Sequence, residues 1–596
     1  MKKYAIVLLA FFTISCAFGQ VDKRLKGIEK EFNKILKATK APGFAVAIVE
    51  GDKVIYSKGF GYRDYENEIP MDANTLLAIG SSSKAFTCSI LGQLRQEEKI
   101  SFNDSPIKYI PELRFYNEDL NSRIIIQDLM SHQTGIPRHD FSWYLFPTYS
   151  KDSLIQRIQY HEPFTGLRQQ WHYNNFMFLT LGVIAERITG KSWEDNIRER
   201  FFQPLGMKRS NVSIEELEKS SNAAVGYELK KDSIISKMDY YRIAGMSPAG
   251  SINSSVNEMS NWLITWINKG KFKGEQILPE YYVTEAMSSQ AVINASLPRK
   301  DFPDLHLANY GYGWVISSYR GHYRVEHSGG IDGFSANVAF YPSDSIGIVV
   351  LTNQNGSAVP SFVRNTVADR MLGTKRTDWA QEFISRQKKN KEAKVESSSS
   401  KVSDTHPSHE LQAYTGNYSH SGYGQFEITN QLDSMFANFK LKKYYLKHVH
   451  YDVFETFEVN KTGIDTTDTG PLRFNFITSD AGEIASVRMK IEGALDHPIE
   501  FDHEPNEIDV DLATLEKYTG EYDLSGTEIK IYIKNENTLY LFVAGQPEYE
   551  VIPTDKHIFT FKTLDGFKVE FKESDDKSIN QLILRQPNGT FKATRK

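Results

Sequence analysis

The chain has 596 residues, 40% of them hydrophobic and 24% charged, with a formal net charge of −5 at pH 7. That length exceeds one ordinary core and suggests about three or four folded units. Charge of both signs with no basic stripe speaks against nucleic acid as a partner.

At the N-terminus, Lys2 and Lys3 precede an apolar stretch from Tyr4 to about Ile14 and then small residues. This is the layout of an export signal, too short for a membrane span. Ala17-Phe18-Gly19 fits cleavage before Gln20, so residues 1–19 are expected to be a signal peptide and the chain exported, periplasmic or secreted. Cys16 offers the rival of a lipid anchor, with Thr13 a poor start for a lipobox. Only Cys88 then remains, so no intrachain disulfide is expected.

Residues 20–387 alternate helical and strand patterns. GFAVAIVEGDKVIYSKGFGY, from Gly43, is two β-rich runs around a Gly51-Asp52 turn, a hairpin signal. Ser81 opens an apolar-periodic helix to about Glu97. HYRVEHSGG, FSANVAFYP and SIGIVVLTN are three late β-rich runs, followed by a helical stretch from Val359 to Leu372. A hairpin early and three strands late predict one antiparallel sheet closed by both ends of an α/β (α+β) domain.

Composition then changes. Residues 388–408, KKNKEAKVESSSSKVSDTHPS, have almost no apolar side chain and read as a solvated linker. Beyond it LQAYTGNY at Leu411 and LEKYTGEY at Leu515 form an internal repeat, each followed by period-2 alternation. Two small all-β, barrel-like modules are predicted, over 409–505 and 506–596. His448 and His450 would share a strand face there, but a third metal ligand is not evident.

Chemistry concentrates in three places. In AIGSSSKAFTCS, Ser81 and Lys84 stand at i and i+3, about 5–6 Å apart at their Cβ atoms on one helix face. A helix start also favours negative charge on the serine oxygen. The plain alternative is a helix cap with a surface lysine, since the same spacing recurs at Ser105/Lys108 and elsewhere. Tyr173-Asn174-Asn175 precedes a second apolar helix: a phenol near a lysine can serve as a base, and an amide can orient a substrate. The plain alternative here is an Asn cap and a packed tyrosine. His327-Ser328-Gly329-Gly330 ends one strand and leads into the next.

Together these pieces resemble the serine β-lactamase and penicillin-binding protein superfamily, with its S-x-x-K, Y-x-N and K/H-x-G elements in that order. Their order and gaps look like the class C branch, with its D-aminopeptidase and esterase relatives. LMSHQTGIP at Leu129 and MSPAGSINSSVNEMSNW at Met246 look like further landmarks of that family, and the resemblance covers roughly Val21 to Leu372. The tail modules look like the lipocalin-like β domains appended to some members.

The resemblance implies an acyl-enzyme mechanism. Ser81 would be the nucleophile, Lys84 would tune the proton network, Tyr173 would be the base, and Asn175, His327 and Gly329 would bind substrate. The backbone N–H groups of Ser81 and Gly330 would form the oxyanion hole. No metal or cofactor is implied. Where β-lactamases usually carry lysine the chain has His327, whose charge is conditional near neutrality. This favours amides, esters or D-amino-acid peptides over antibiotics. The rivals are a carboxylesterase, a β-lactamase or D-Ala-D-Ala carboxypeptidase, and a penicillin-binding sensor or scaffold that does not turn over. The expected partner is a small peptide, ester or cell-wall-derived molecule, with the β modules available for homo-oligomers. The aromatic run FSWYLFPTY, Phe141 to Tyr149, reads as an acyl pocket or as ordinary core.

Overall fold

The computed structural model describes residues 22–394 and 402–596, except 241, 243, 295, 296, 299, 301, 302, 305, 462, 467, 468, 505, 506, 565, 575, 587 and 588. Residues 1–19, read above as a signal peptide, and Cys16 among them lie outside the described residues.

The predicted hairpin forms as Gly43–Glu50 and Lys53–Asp64, with Glu50 opposite Lys53 and Gly51-Asp52 as a two-residue turn. Its first strand is buried on both faces, and its alternation shows what covers each. Ala45, Ala47 and Val49 join the core beneath the helices Lys84–Gln96, Asn175–Thr189 and Val256–Ile267. Phe44, Val46 and Ile48 join a second core under Ile28–Thr39 and Val359–Met371. Small side chains on one face and larger ones on the other let helices pack close to both.

The sheet has nine antiparallel strands. From one edge they run Ala291–Asn294, Ala308–Tyr310, Val315–Tyr319, His322–Ile331, Phe334–Tyr341, Ile346–Thr352, Gly43–Glu50, Lys53–Asp64 and Ile69–Pro70. Phe44 pairs with Thr352 and Glu50 with Ile346, so the two ends of the domain close the sheet as predicted.

The stretch read as a linker from Lys388 begins as helix. Trp379–Lys394 is continuous, anchored where Trp379 stacks on Phe362 at 5.7 Å. Beyond that anchor the lysines, glutamate and alanine of the run are good helix formers that need no core.

Both tail modules are closed eight-stranded barrels. In the first, Lys443–His450 pairs with Val453–Asn460 to complete the ring, and Gly463–Ile464 hangs on as a ninth strand. The second runs from Gly520–Leu524 to Gly589–Arg595, and these two strands pair. The repeat is visible atom by atom: Tyr418 Oη donates to the Tyr414 carbonyl at 2.9 Å, and Tyr522 Oη to that of Tyr518 at 2.8 Å. Among the described residues no group of three or more His, Cys, Asp or Glu could hold a metal, and His448 Nε2 donates to the Tyr451 carbonyl at 2.8 Å. Among them, too, no helix is long and apolar enough to cross a membrane.

Part of the aromatic run packs into another module. Leu145 and Phe146 are buried in the core of the first barrel, where Phe146 lies 5.5 Å from Phe439 and 5.8 Å from Phe501, ring to ring. These two residues are core, but the core of a different module, while Trp143 packs against the catalytic core. Tyr144 packs against the same barrel core and donates to Asp332 Oδ1 at 3.1 Å.

Candidate active site

Ser81 lies in a single 3-10 turn, Gly80–Ser83, which feeds directly into the helix Lys84–Gln96. The turn sits against the strand His322–Ile331 with backbone touching backbone. Gly80 has φ +50°, and a Cβ there would come within 2.8 Å of the Gly330 nitrogen. A Cβ on Gly329 would come within 1.9 Å of the Ile79 carbonyl oxygen. Side chains are excluded at both positions, which brings the Gly330 amide against the turn that carries the serine. Ser82 ties the same two elements together, its Oγ donating to the His327 carbonyl at 3.1 Å.

Lys84 is fully buried, and its Nζ has three oxygen neighbours: Ser81 Oγ at 3.1 Å, Asn175 Oδ1 at 2.7 Å and the Ala249 carbonyl at 2.7 Å. Burial pushes the amine well below its ordinary value, against the nearby Asp140 carboxylate, which raises it; Arg138 adds to the lowering. A neutral amine has two N–H bonds and one lone pair. Two of the three neighbours are carbonyl oxygens that can only accept, so they take the two N–H bonds. As a neutral amine Lys84 would turn its lone pair to the Ser81 hydroxyl; as an ammonium it donates to Ser81 Oγ.

Tyr173 completes the cluster from the other side. Its phenol is electrostatically coupled to Ser81, and Lys84 Nζ lies 4.8 Å from its ring centre. Burial drives the phenol well above its usual value, partly offset by Ser81 and by Arg138. Burial favours the neutral phenol at Tyr173 and the neutral amine at Lys84, which makes the lysine a second candidate base beside Tyr173.

Asn175 opens the helix Asn175–Thr189 behind the cap Asn174, whose Oδ1 accepts from the Met177 N–H at 3.2 Å. The Asn175 amide is engaged at both ends, by Lys84 at Oδ1 and by Asp140 Oδ1 at 2.8 Å from Nδ2. It orients the lysine, and only its second N–H is left to meet a substrate.

His327 is 3% exposed and held by two bonds. Nδ1 donates to the Ser328 carbonyl at 2.6 Å, so Nε2 accepts, from Tyr310 Oη at 2.9 Å. Burial and the nearby Lys84 lower it to about 4. At neutral pH this position carries no charge.

The structure thus brings Ser81, Lys84, Tyr173, Asn175, His327, Gly329 and Gly330 together, and adds partners that sequence reasoning did not single out. His132, whose Nδ1 accepts from the Asn174 N–H at 3.1 Å, packs its ring 4.5 Å from that of Tyr173. It lies in LMSHQTGIP, and Ala249 in MSPAG, so the two landmark stretches are contacts of the site. Arg138 stands 4.7 Å from the Tyr173 ring and pairs with Asp140 at 2.6 Å. The signal that could have found them is a charged triple, Arg138-His139-Asp140, abutting an aromatic run.

The family model described as Beta-lactamase matches residues 28–370, more than half of the chain. The chain belongs to the beta-lactamase family. A second model, a domain of unknown function (DUF3471), matches residues 400–511, over the first barrel. Among curated relatives, "Unguisins hydrolase ungD'" of Aspergillus campestris is 26% identical over 430 residues, 67% of this chain and 78% of that protein. "Protein flp" of Staphylococcus aureus strain MW2 is 26% identical over 328 residues, 54% of this chain and 62% of that protein. Among solved structures, the octameric penicillin-binding protein homologue from Pyrococcus abyssi aligns with a TM-score of 0.54 at 20% identity, covering 80% of this chain and 100% of that one. That likeness speaks for the fold.

Proposed function

We propose that this beta-lactamase-family chain is an exported serine hydrolase that cleaves amide or ester bonds, D-amino-acid peptides included, through an acyl-enzyme. The observation that carries the reading is the three-way setting of Lys84 Nζ, which leaves a lone pair for the Ser81 proton. Family membership and a relative named as a hydrolase support it.

In the first half, Lys84 takes the proton from Ser81 Oγ as the oxygen bonds the substrate carbonyl carbon. Negative charge on the carbonyl oxygen is met by the N–H groups of Ser81 and Gly330, an interaction worth about 3–4 kcal/mol per donor in comparable sites. The proton passes from Lys84, through the Tyr173 phenol, to the leaving nitrogen or oxygen as that bond breaks. In the second half a water gives its proton back along the same route and its oxygen displaces Ser81. Neutral His327 supplies no fixed positive charge for a substrate carboxylate, which argues for weak β-lactam turnover.

The test is labelling of the purified mature protein by a fluorophosphonate and by a fluorescent penicillin, beside Ser81→Ala, read by intact mass. Labelling of the wild type and its loss in the variant are expected, with nitrocefin turned over poorly. Equal labelling of Ser81→Ala would overturn the reading, and efficient nitrocefin hydrolysis would overturn the substrate preference.

A further inference from the structure

The segment from Ile136 to Ser142 is gripped from two sides. Toward the site, Asn174 Nδ2 donates to the Pro137 carbonyl at 2.6 Å and to that of Ile136 at 3.3 Å, and Asp140 accepts from Asn175. On the opposite side lies the first barrel. His139 has φ +45°, which turns its backbone and side chain away from those of Arg138 and Asp140. Its N–H donates to Glu492 Oε2 at 2.7 Å, its Nε2 donates to the Glu162 carbonyl at 3.0 Å, and its Nδ1 therefore accepts from Tyr423 Oη at 2.7 Å. Ser142 Oγ adds a bond to the Gly422 carbonyl at 2.7 Å. His139, Tyr423 and Glu492 are all buried.

We infer that the first barrel completes the catalytic site from outside the catalytic domain: Glu492 and Tyr423 are positioning residues that seat His139 and thereby hold Arg138 against Tyr173 and Asp140 against Asn175. The chain of contacts is short. Glu492 fixes His139, the adjoining Asp140 fixes the Asn175 amide, and Asn175 is one of the two carbonyl acceptors that aim the Lys84 lone pair at Ser81. Without the barrel's carboxylate the His139 N–H is a buried donor with no acceptor, and the left-handed turn that alternates the three side chains loses its support. The charged and titratable groups around Lys84 are Asp140, Arg138, Cys88, Tyr173, His132 and His327. Of these, Arg138 and Asp140 are the two whose placement depends on the barrel.

The inference rests on Ser81 being the nucleophile, and the experiment has a readout for each. In the full chain, the rate of fluorophosphonate labelling is followed against pH for wild type, Glu492→Ala, Asp140→Asn and the double variant. Hydrogen exchange is followed over residues 138–144 and 171–178. Misplacement of about 1 Å costs up to a hundredfold, so Glu492→Ala is expected to slow labelling about tenfold or more. Drawing Asp140 away lowers the lysine further, so the acid limb should move to lower pH, in the same direction as in Asp140→Asn. The double variant should fall short of the sum of the two single effects, because both changes share Asp140. Exchange over 171–178, which lies wholly in the catalytic domain, should rise.

An unchanged rate and pH profile in folded Glu492→Ala would overturn the inference. So would additive effects in the double variant, or exchange changes confined to the barrel. Should Glu492→Ala not fold, Tyr423→Phe removes the other bond to His139 and is judged on the same readouts. Should the wild type resist labelling, the hydrolase reading falls and hydrogen exchange alone decides the positioning role.

Discussion

The two barrels carry the same repeat and differ in one turn. In the second, Leu524 pairs with Thr527 across the two residues Ser525-Gly526. In the first, His420 pairs with Gly424 across three, Ser421-Gly422-Tyr423. The added residue is the tyrosine that reaches His139, and the glycine before it offers the carbonyl taken by Ser142 and by His161 at 3.1 Å. The ion pair that the second barrel makes beyond its own fold, Lys568 to Glu483 at 2.7 Å, goes to the first barrel. The insertion in a duplicated turn is thus one of the features, with Glu492 and the seat of Phe146, that separate a module that grips the catalytic domain from one that leans on its sibling.

The comparison can be broken most forcefully at the aromatic plug. Phe146→Ala empties a ring-sized space in the first barrel's core and should cost about 3–5 kcal/mol. In calorimetry the unfolding of the catalytic domain and first barrel should move down while that of the second barrel stays put. A common shift of all transitions would mean that the barrels are one cooperative unit.

Acid should separate the regions next. A histidine held neutral at about 4 when folded and near 6.5 when unfolded disfavours the folded state as soon as the unfolded chain takes up the proton. Stability contributed by His327 is therefore intact above about pH 6.5 and falls as pH drops toward 4, by up to about 3 kcal/mol. Buried His132 and His161 of the catalytic domain and His420 of the first barrel are lowered in the same way, so the loss belongs to the catalytic domain together with the barrel that grips it. Melting curves of wild type and His327→Gln between pH 7 and 4 check it: the variant should show the shallower decline.

The smallest effect sharpens the likeness instead. Tyr418→Phe and Tyr522→Phe each delete one buried hydroxyl from equivalent places, and each should cost about 1 kcal/mol. Only Tyr418→Phe, on the strand that leads to the docking turn, should also alter exchange around His139.

Much of this organisation was legible. The Gly51-Asp52 turn, the late strands, the repeat and the serine and lysine one turn apart each follow from local periodicity or spacing. What stayed hidden depends on contacts between distant segments. Ala249 matters through its carbonyl, which no side-chain pattern announces, and Asp140 through Asn175, 35 positions away. Lys84 as a second candidate base was not legible, because the burial that bears on both Lys84 and Tyr173 follows from the packed site and not from residue type. Phe141–Tyr149 stayed open between an acyl pocket and ordinary core because an aromatic run records what must be buried and not against what. The helix through Lys394 was read as a linker because apolar content was weighed above helix propensity.

The pairing of Gly43–Glu50 with Ile346–Thr352 also bears on how the chain is made. The first strand leaves the ribosome about 300 residues before its central neighbour, a wait of roughly 15–60 s at translation rates of about 5–20 residues per second. Throughout that interval it can lean on its hairpin partner alone, with seven consecutive residues destined for the interior and one open edge. A strand in that condition is a natural client for holding chaperones and a weak point for aggregation, so the yield of soluble protein should depend on the speed of synthesis as well as on the stability of the finished fold.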